Sequence, residues 1–135
     1  MRAMQLAIKN SKIAPGDVDY INAHATSTIA GDVAEVRAIK KVFAGGKVPH
    51  VSSTKSLTGH GLSLAGAMEA AFCCLALKEK FTPLSVNITE LDPECEGVPI
   101  VDKPVDFAPK IAMSNSSGFG GTNVVLVMKR WDSAG

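Results

Sequence analysis

Two histidines lie in polar loops of this chain, each beside an apolar segment. His24 stands within NAHATST (residues 22–28), just after a strand-like run, and His60 ends SSTKSLTGH (residues 52–60), just before a long apolar run. Imidazole donates or accepts a proton near neutral pH without large tuning of its pKa, and loop tips on a rigid scaffold often carry functional groups. The pattern predicts a polar site, although a histidine that only caps or packs its own loop is an equal alternative at each position.

A lysine and a glutamate extend this candidate site. Lys55 lies in a small-residue loop five positions before His60, where the usual alternative is a solvated side chain. Glu69 lies within LAGAMEAAFCCL (residues 64–75), so we expect its carboxylate to be buried. A buried carboxylate needs a partner, and Lys55, His60 or a bound cation are the available ones. Whether that pair is catalytic or architectural does not follow from the pattern.

The expected position of each histidine indicates its chemistry. Ligands of α/β sheets bind just past the carboxyl ends of strands, which is where His24 is expected. His60 is expected at the start of a buried helix, where the helix dipole opposes a positive charge. A neutral imidazole that donates an N–H is suited to stabilising a developing oxyanion.

No evident nucleophile accompanies the histidines. The sequence has no GxSxG motif. Cys73 and Cys74 are expected in the middle of an apolar helix, where a thiol is inert and its pKa rises. Cys95 is flanked by Glu94 and Glu96, which disfavour a thiolate. The lack of a CxxC pair also argues against zinc and redox sites.

Composition narrows the class of protein. The chain has 135 residues, of which 46% are hydrophobic and 20% charged, and this suits one folded domain with a real core. A net charge of +1 and an aromatic content of 5% predict neither nucleic-acid nor membrane binding. We expect no signal peptide, no membrane span and a reducing compartment, which is the cytoplasm or an organelle.

The apolar periodicity predicts an α/β fold. The helices are expected at residues 3–12, 31–43 and 62–80, and the strands at residues 18–23, 48–53, 110–115 and 124–129. The third helix is apolar almost all round and is therefore expected to be buried. Residues 83–88 are expected to be extended, and a short strand at Ile100 and Val101 interrupts a surface excursion. The predicted architecture is a mixed sheet with helices on both faces, closed by a C-terminal hairpin with a glycine-rich connection.

Six ordered motifs make the chain similar to the C-terminal half of the β-ketoacyl-acyl-carrier-protein synthases, thiolase-fold condensing enzymes of fatty acid synthesis. The motifs are NAHATST (22–28), GD (31–32), SSTK (52–55), TGH (58–60), AMEA (67–70) and SNSSGFGGTN (114–123). The likeness extends over nearly the whole chain and implies a single C-terminal thiolase-like domain at residues 1–135. The TST loop resembles the fatty-acid enzymes more than modular polyketide synthases.

The resemblance implies a decarboxylative Claisen condensation. In that reaction an acyl chain is held as a thioester on a cysteine, malonyl-carrier protein loses carbon dioxide, and the resulting carbanion attacks the thioester. By this resemblance, His24 and His60 assist decarboxylation and stabilise thioester oxyanions. Lys55 orders the site and adds positive charge, and Glu69 is the buried glutamate linked to it.

Substrate contacts are implied in the same way. Thr26 and Thr28 match hydroxyls that touch the phosphopantetheine arm of the acyl carrier protein, so no separate cofactor is expected. Phe119 matches an aromatic gate beside the acyl pocket, and the simpler alternative is a hairpin loop with one buried aromatic. No catalytic metal is expected, but some family members hold a structural alkali cation near the positions of Asn22, Glu69, Ser114 and Asn115.

Three departures from the family pattern limit these roles. The nucleophilic cysteine of the family lies in an N-terminal half that this sequence lacks, so we expect no condensation by the chain alone. Ala25 replaces a common glycine, which is tolerated unless position 25 needs a positive φ. Ser117 replaces a phenylalanine and so removes a large apolar group beside the gate.

The expected partners are acyl carrier protein, the missing half, which would cover an apolar surface, and a second copy in an intact homodimer. Three other interpretations stay open: a noncatalytic chain-length subunit, a polyketide-type ketosynthase fragment, and a structural domain cut from a larger protein. Retention of both histidines and the lysine weighs against the first of these.

Overall fold

The computed structural model describes residues 1–132, which contain four α-helices and four strands. The helices are α1 (Arg2–Asn10), α2 (Ile29–Val42), α3 (Lys55–Thr58) and α4 (Ala65–Glu79). The strands are β1 (Tyr20–Asn22), β2 (His50–Ser52), β3 (Ile111–Ser117) and β4 (Asn123–Lys129). Along the chain they follow in the order α1, β1, α2, β2, α3, α4, β3, β4. Short 3-10 turns at Pro15–Asp17, Leu62–Leu64, Pro93–Cys95 and Phe119–Gly121 complete the order.

The strands form one mixed sheet in the order β2-β1-β3-β4. Ile21 in β1 pairs in parallel with Val51 in β2 and with Met113 in β3. β4 runs antiparallel to β3 and forms the C-terminal hairpin with it. Because β1 and β2 are parallel, the loops that follow them lie at the same edge of the sheet. The predicted mixed sheet and hairpin are confirmed.

Helices cover both faces of the sheet, as predicted. On the face covered by α1 and α2, the core includes Met4, Ile8, Ile21, Val36, Ile39, Phe43, Val51 and Met113. On the opposite face, Tyr20 and Ala112 pack against Cys73 and Leu77 of α4. Successive strand residues point to opposite faces, so each short strand contributes side chains to the hydrophobic cores on both faces of the sheet.

Several element boundaries differ from the periodicity. α2 begins at Ile29, two positions earlier than predicted, because the Asp32 amide already donates to the Thr28 carbonyl at 3.0 Å. The hairpin connection shortens to residues 118–122, because the Gly118 amide donates to the Thr122 carbonyl at 2.8 Å. The spacing of apolar residues carries no information about these backbone hydrogen bonds, so it does not predict these boundaries.

The segment after α4 is extended but does not form a regular strand. The Ser85 amide donates to the Val101 carbonyl at 2.7 Å. Ile100 forms one isolated parallel bridge with Val51, so the short strand predicted there reduces to this single pairing. These contacts attach both segments to the β2 side of the sheet.

The prediction that the third helix is buried almost all round is wrong for the part of the chain that the structure describes. Glu69, Cys73 and Leu77 face the sheet and are buried, whereas Cys74 and Leu75 are exposed on the outer face of α4. Cys74 is thus accessible to solvent, although its sulfur lies 3.7 Å from that of Met128 in β4, so the expectation of fully apolar surroundings holds for one side of this thiol only.

None of the helices within residues 1–132 combines the length and the apolar character that a membrane crossing requires.

Candidate functional site

The loops that follow β1 and β2 are joined at the carboxyl edge of the sheet. The Asn22 side-chain amide donates to the Thr54 hydroxyl at 3.1 Å. The Ala23 amide donates to the Ser52 carbonyl at 2.8 Å, and the Ser53 hydroxyl donates to the Ala25 carbonyl at 3.2 Å. These bonds hold the two candidate motifs side by side.

The imidazole rings of His24 and His60 contact each other at the carboxyl edge of the sheet. Their centroids lie 5.5 Å apart and their planes make an angle of 86°, so one ring presents its edge to the other. His24 is half-buried and His60 is exposed. The expectation that His60 begins a helix is wrong, because the 3-10 turn Leu62–Leu64 separates it from α4. The two histidines that the sequence singled out are nevertheless in direct contact at this edge of the sheet.

A backbone hydrogen bond sets the tautomer of His60. The Leu62 amide donates to Nδ1 of His60 at 3.1 Å. When the imidazole is neutral, Nδ1 is therefore the acceptor and Nε2 carries the hydrogen. Leu62 adopts a φ of 51° and Gly59 a φ of 73°, and these left-handed positions shape the loop that makes the contact. His60 thus presents an N–H donor for a local reason, which differs from the predicted dipole effect.

Burial favours the neutral form of His24. Burial lowers the pKa of His24 below its ordinary value, and the ammonium of Lys55 lowers that pKa further. The charge of Glu35 acts in the opposite direction. Within residues 1–132, Nδ1 of His24 is buried and has no hydrogen-bond partner.

Glu35 holds the His24 loop, a role that was not predicted from the sequence. Its carboxylate accepts hydrogen bonds from the amides of His24 at 3.0 Å and Ala25 at 2.9 Å. It also accepts one from the side-chain amide of Asn115 at 2.9 Å. The available signal was position: Glu35 lies on the core side of α2, next to Val36, where an acidic residue needs donors.

Lys55 and Glu69 form the expected pair. The Lys55 ammonium donates to Oε1 of Glu69, and the side chains are only 6% and 3% exposed. Lys55 is thus buried at the first position of α3, so the alternative of a solvated loop lysine is wrong. Burial raises the pKa of the Glu69 carboxyl above its ordinary value, and Lys55 acts against that rise.

The cysteines do not complete the site. Burial raises the pKa of Cys73 to about 12, and burial followed by the charge of Asp92 raises the pKa of Cys95. The thiol of Cys74 faces the sulfur of Met128 at 3.7 Å. None of the hydrogen bonds within residues 1–132 joins a cysteine to either histidine.

The positions expected for an alkali cation divide between the two faces of the sheet. Ser114 lies two positions after Ala112 and faces α4, and its hydroxyl is buried without a partner in the described chain, as is Oε2 of Glu69. Two such oxygens suit a hard cation. The Asn115 side chain points to the opposite face, where it contacts Met4 and Glu35, so it does not fit the same site. The cation stays a prediction.

The predicted carrier-arm residues lie beside His24. The hydroxyls of Thr26 and Thr28 are 3.4 Å apart in an exposed part of the loop. A cavity of about 300 Å³ opens there, lined by Thr26, His24 and Glu35 among others. Ala25 is not among the residues with positive φ, so the backbone at this position does not require glycine.

The predicted gate residue is fully exposed. Phe119 lies in the turn of the hairpin with its side chain in solvent, so the alternative of one buried aromatic is wrong. At the neighbouring departure from the family pattern, the Ser117 hydroxyl donates to Oδ1 of Asn123 at 2.8 Å. A serine at this position therefore closes the hairpin end by a polar contact.

Comparison with known proteins identifies relatives of the chain by sequence. The family model described as "Beta-ketoacyl synthase, C-terminal domain" matches residues 1–89. The 3-oxoacyl-[acyl-carrier-protein] synthase 1 of Buchnera aphidicola subsp. Acyrthosiphon pisum is 44% identical over 131 residues, which are 97% of this chain and 32% of that protein. The 3-oxoacyl-[acyl-carrier-protein] synthase 2 of Staphylococcus aureus strain COL is 45% identical over 133 residues, 98% of this chain and 32% of that protein. The chain spans about a third of the length of these curated relatives.

Solved structures show the same fold. A type II PKS acyl-carrier protein in complex with its ketosynthase gives a TM-score of 0.90 at 35% identity, covering 97% of this chain and 32% of that one. A beta-ketoacyl synthase from Burkholderia phymatum STM815 gives 0.88 at 36%, with the same coverage. A ketosynthase in complex with its chain length factor from Xenorhabdus doucetiae gives a TM-score of 0.86 at 34% identity, and the match covers 96% of this chain and 32% of that one. The chain therefore has a thiolase-like α/β fold and belongs to the beta-ketoacyl synthase family, in which it corresponds to the C-terminal domain.

Proposed function

We propose that this chain supplies the two histidines and the lysine–glutamate pair of a β-ketoacyl-acyl-carrier-protein synthase. The whole protein would condense an acyl thioester with malonyl-acyl-carrier protein in fatty acid biosynthesis. The observation that carries the proposal is the edge-to-face contact of His24 and His60, with ring centroids 5.5 Å apart.

The two rings would act on charge that develops on a thioester oxygen. Loss of carbon dioxide from the malonyl group leaves its bonding electrons in an enolate, whose oxygen accepts hydrogen bonds from the imidazole N–H groups. The enolate carbon then bonds to the carbonyl carbon of the acyl thioester, and the cysteine thiolate leaves. Donors placed in advance at such an oxygen contribute about a hundredfold to a thousandfold each to the rate.

Neutral imidazoles are needed for this role, and Lys55 favours the neutral form of His24. Its ammonium lowers the pKa of His24, while Glu69 balances the lysine charge in the interior. The Leu62 amide occupies Nδ1 of His60, so Nε2 is free to donate to substrate. We assign His24, Lys55 and His60 as catalytic residues and Glu69 as their support.

Malonyl-acyl-carrier protein is the donor substrate in this proposal. The exposed hydroxyls of Thr26 and Thr28 lie beside His24 and would contact the phosphopantetheine arm. Phe119 would gate the acyl chain from its exposed position on the hairpin. The relatives are named 3-oxoacyl-[acyl-carrier-protein] synthases, which supports this choice of substrate. No further cofactor is required.

The nucleophilic thiol would come from the family's N-terminal half. The raised pKa values of Cys73 and Cys95 support this assignment, since a thiol that stays protonated is a poor nucleophile. We expect the 135-residue chain alone to be inactive and the intact protein to be a homodimer.

Elongation of a radiolabelled acyl-carrier protein tests the proposal. The whole protein, with both halves, is expected to extend the acyl chain by two carbons and to release carbon dioxide, and the 135-residue chain is expected to do neither. Elongation by the chain alone, or none by the whole protein, would overturn the assignment.

A noncatalytic chain-length subunit is the second candidate, favoured by the likeness to the ketosynthase and chain-length-factor complex. The retained pair of His24 and His60 argues against it. A malonyl decarboxylation assay on the whole protein distinguishes the two candidate functions. Only the condensing enzyme is expected to release carbon dioxide in a way that depends on both His24 and His60.

A further inference from the structure

Lys55 lies in a helix that needs outside support. α3 has only four residues, and a single helical turn is unstable on its own because nucleation fixes several residues for one hydrogen bond. No side chain caps its N-terminus. The burial of the Lys55 ammonium against Glu69 therefore depends on what holds this turn in place.

Two residues that flank Lys55 are held by the segment that follows α4. The Ser53 amide donates to the Ser85 hydroxyl at 2.8 Å. The Val86 amide donates to the Ser56 hydroxyl at 2.9 Å, and that hydroxyl in turn donates to the Ser53 carbonyl at 2.8 Å. The Ser56 hydroxyl is thus used both as a donor and as an acceptor.

Asn87 adds a further bond from the same segment. Its side-chain amide donates to the Ser56 carbonyl at 3.1 Å, and its φ of 63° is in the left-handed region, which an asparagine tolerates better than most residues. The segment is itself anchored, because the Ser85 amide donates to the Val101 carbonyl at 2.7 Å. A rigid strand-like support therefore contacts α3 from outside.

The inner side of the loop is held separately. Thr54 contacts the Asn22 side chain, which lies in the core of the sheet. That contact fixes the residue before Lys55 but does not reach Ser56, the residue after it. The contacts from residues 85–87 restrain Ser56 from the other side.

We propose that Ser56 and Asn87 are positioning residues that hold Lys55 against Glu69. Neither side chain would touch substrate, and both act through the backbone of α3. The catalytic value of this placement rests on the proposed function, but the placement itself is a property of the chain.

Acetylation of lysines by an N-hydroxysuccinimide ester, followed by peptide mass spectrometry, tests the proposal on the 135-residue chain. Two variants remove the contacts: Ser56→Ala removes the hydroxyl, and Asn87→Gly removes the side-chain amide while glycine keeps the left-handed φ freely. Loss of such hydrogen bonds is expected to raise the acetylation rate of Lys55 about tenfold by promoting local opening. The rate is measured relative to Lys78, whose side chain is 78% exposed.

Lys12→Gly is the matched control. Lys12 is exposed and its backbone is also in the left-handed region, with a φ of 54°. Glycine at this position therefore adds the same conformational freedom to the unfolded chain as Asn87→Gly does, but removes no contact with α3. Acetylation of Lys55 in this control is expected to match the parent chain. Equal rates for Lys55 in the parent, Ser56→Ala and Asn87→Gly chains would overturn the proposal. A failure of the proposed function would instead appear as an absence of malonyl decarboxylation by the unsubstituted whole protein, which leaves the labelling result unaffected.

Discussion

Lys55 and Glu69 form the one ion pair within residues 1–132 whose two side chains are both buried, with 6% and 3% of their surface exposed. The other pairs of that range each have at least one side chain in solvent. The attraction in a buried pair roughly offsets the loss of hydration, but removal of one partner leaves an uncompensated charge. The pair is therefore a point where a single substitution has a large effect.

We expect Glu69→Ala to lower the free energy of unfolding by about 3–5 kcal/mol, as measured by urea denaturation of the chain. The reason is the ammonium of Lys55, which stays buried without its carboxylate. Arg37→Ala is the control: it breaks an exposed pair with Glu94 and is expected to leave the free energy of unfolding nearly unchanged, because an ion pair in solvent contributes little to stability. Equal effects of the two substitutions would contradict the burial argument.

A second prediction concerns Glu35, which accepts the amides of His24 and Ala25. Glu35→Ala leaves both amides without that acceptor. The amides are only partly buried, so each is expected at the low end of the about 1–3 kcal/mol cost of an unpaired buried group, and we expect a total loss of roughly 2–3 kcal/mol in unfolding free energy. Glu79→Ala, at an exposed position on α4, serves as the comparison. A Glu35→Ala chain as stable as the Glu79→Ala chain would show that the His24 loop does not depend on this carboxylate.

The pH dependence of stability follows from the histidines. Burial lowers the pKa of both His24 and His50 below their ordinary value of 6.5. The unfolded chain therefore binds more protons than the folded chain at mildly acidic pH, and stability falls as the pH drops below about 6.5. Each proton taken up on unfolding contributes a slope of up to about 1.4 kcal/mol per pH unit.

Urea denaturation of the parent and of His50→Gln across this range isolates the contribution of His50. The parent is expected to lose stability more steeply than the variant between about pH 6.5 and 5. The same steepness in both chains would mean that His50 titrates alike in the folded and unfolded states.

The sequence predicted the parts of the structure that depend on periodicity and charge burial. Alternating apolar runs predicted the sheet strands and the helices on both faces, and the apolar neighbours of Glu69 correctly required a partner for its carboxylate. The outer face of α4 was mispredicted because periodicity does not reveal whether a second layer packs there. The contacts of Glu35 and Leu62 join backbone groups to side chains, and spacing carries no signal for such bonds. Phe119 lies exposed for a similar reason, since a hairpin sequence does not define which side of the turn its side chain takes.

Ala25 offers a small test of the backbone at the site. Its φ is outside the positive range, so glycine would relieve no backbone strain in the folded chain and would increase the conformational entropy of the unfolded chain. We expect Ala25→Gly to lower the free energy of unfolding by about 0.5–1 kcal/mol, as measured by urea denaturation of the chain. A stabilised Ala25→Gly chain would indicate strain at this position that the backbone does not show.

The central claim is that His24 and His60 act on one developing oxyanion, and malonyl decarboxylation by the whole protein tests it most directly. Release of carbon dioxide is measured for the parent, His24→Ala, His60→Ala and the control His50→Ala, whose ring packs on Phe107 instead. We predict that each of the first two substitutions lowers the rate by about a hundredfold or more, while His50→Ala stays near the parent. Undiminished carbon dioxide release from the His24→Ala and His60→Ala proteins would contradict the account.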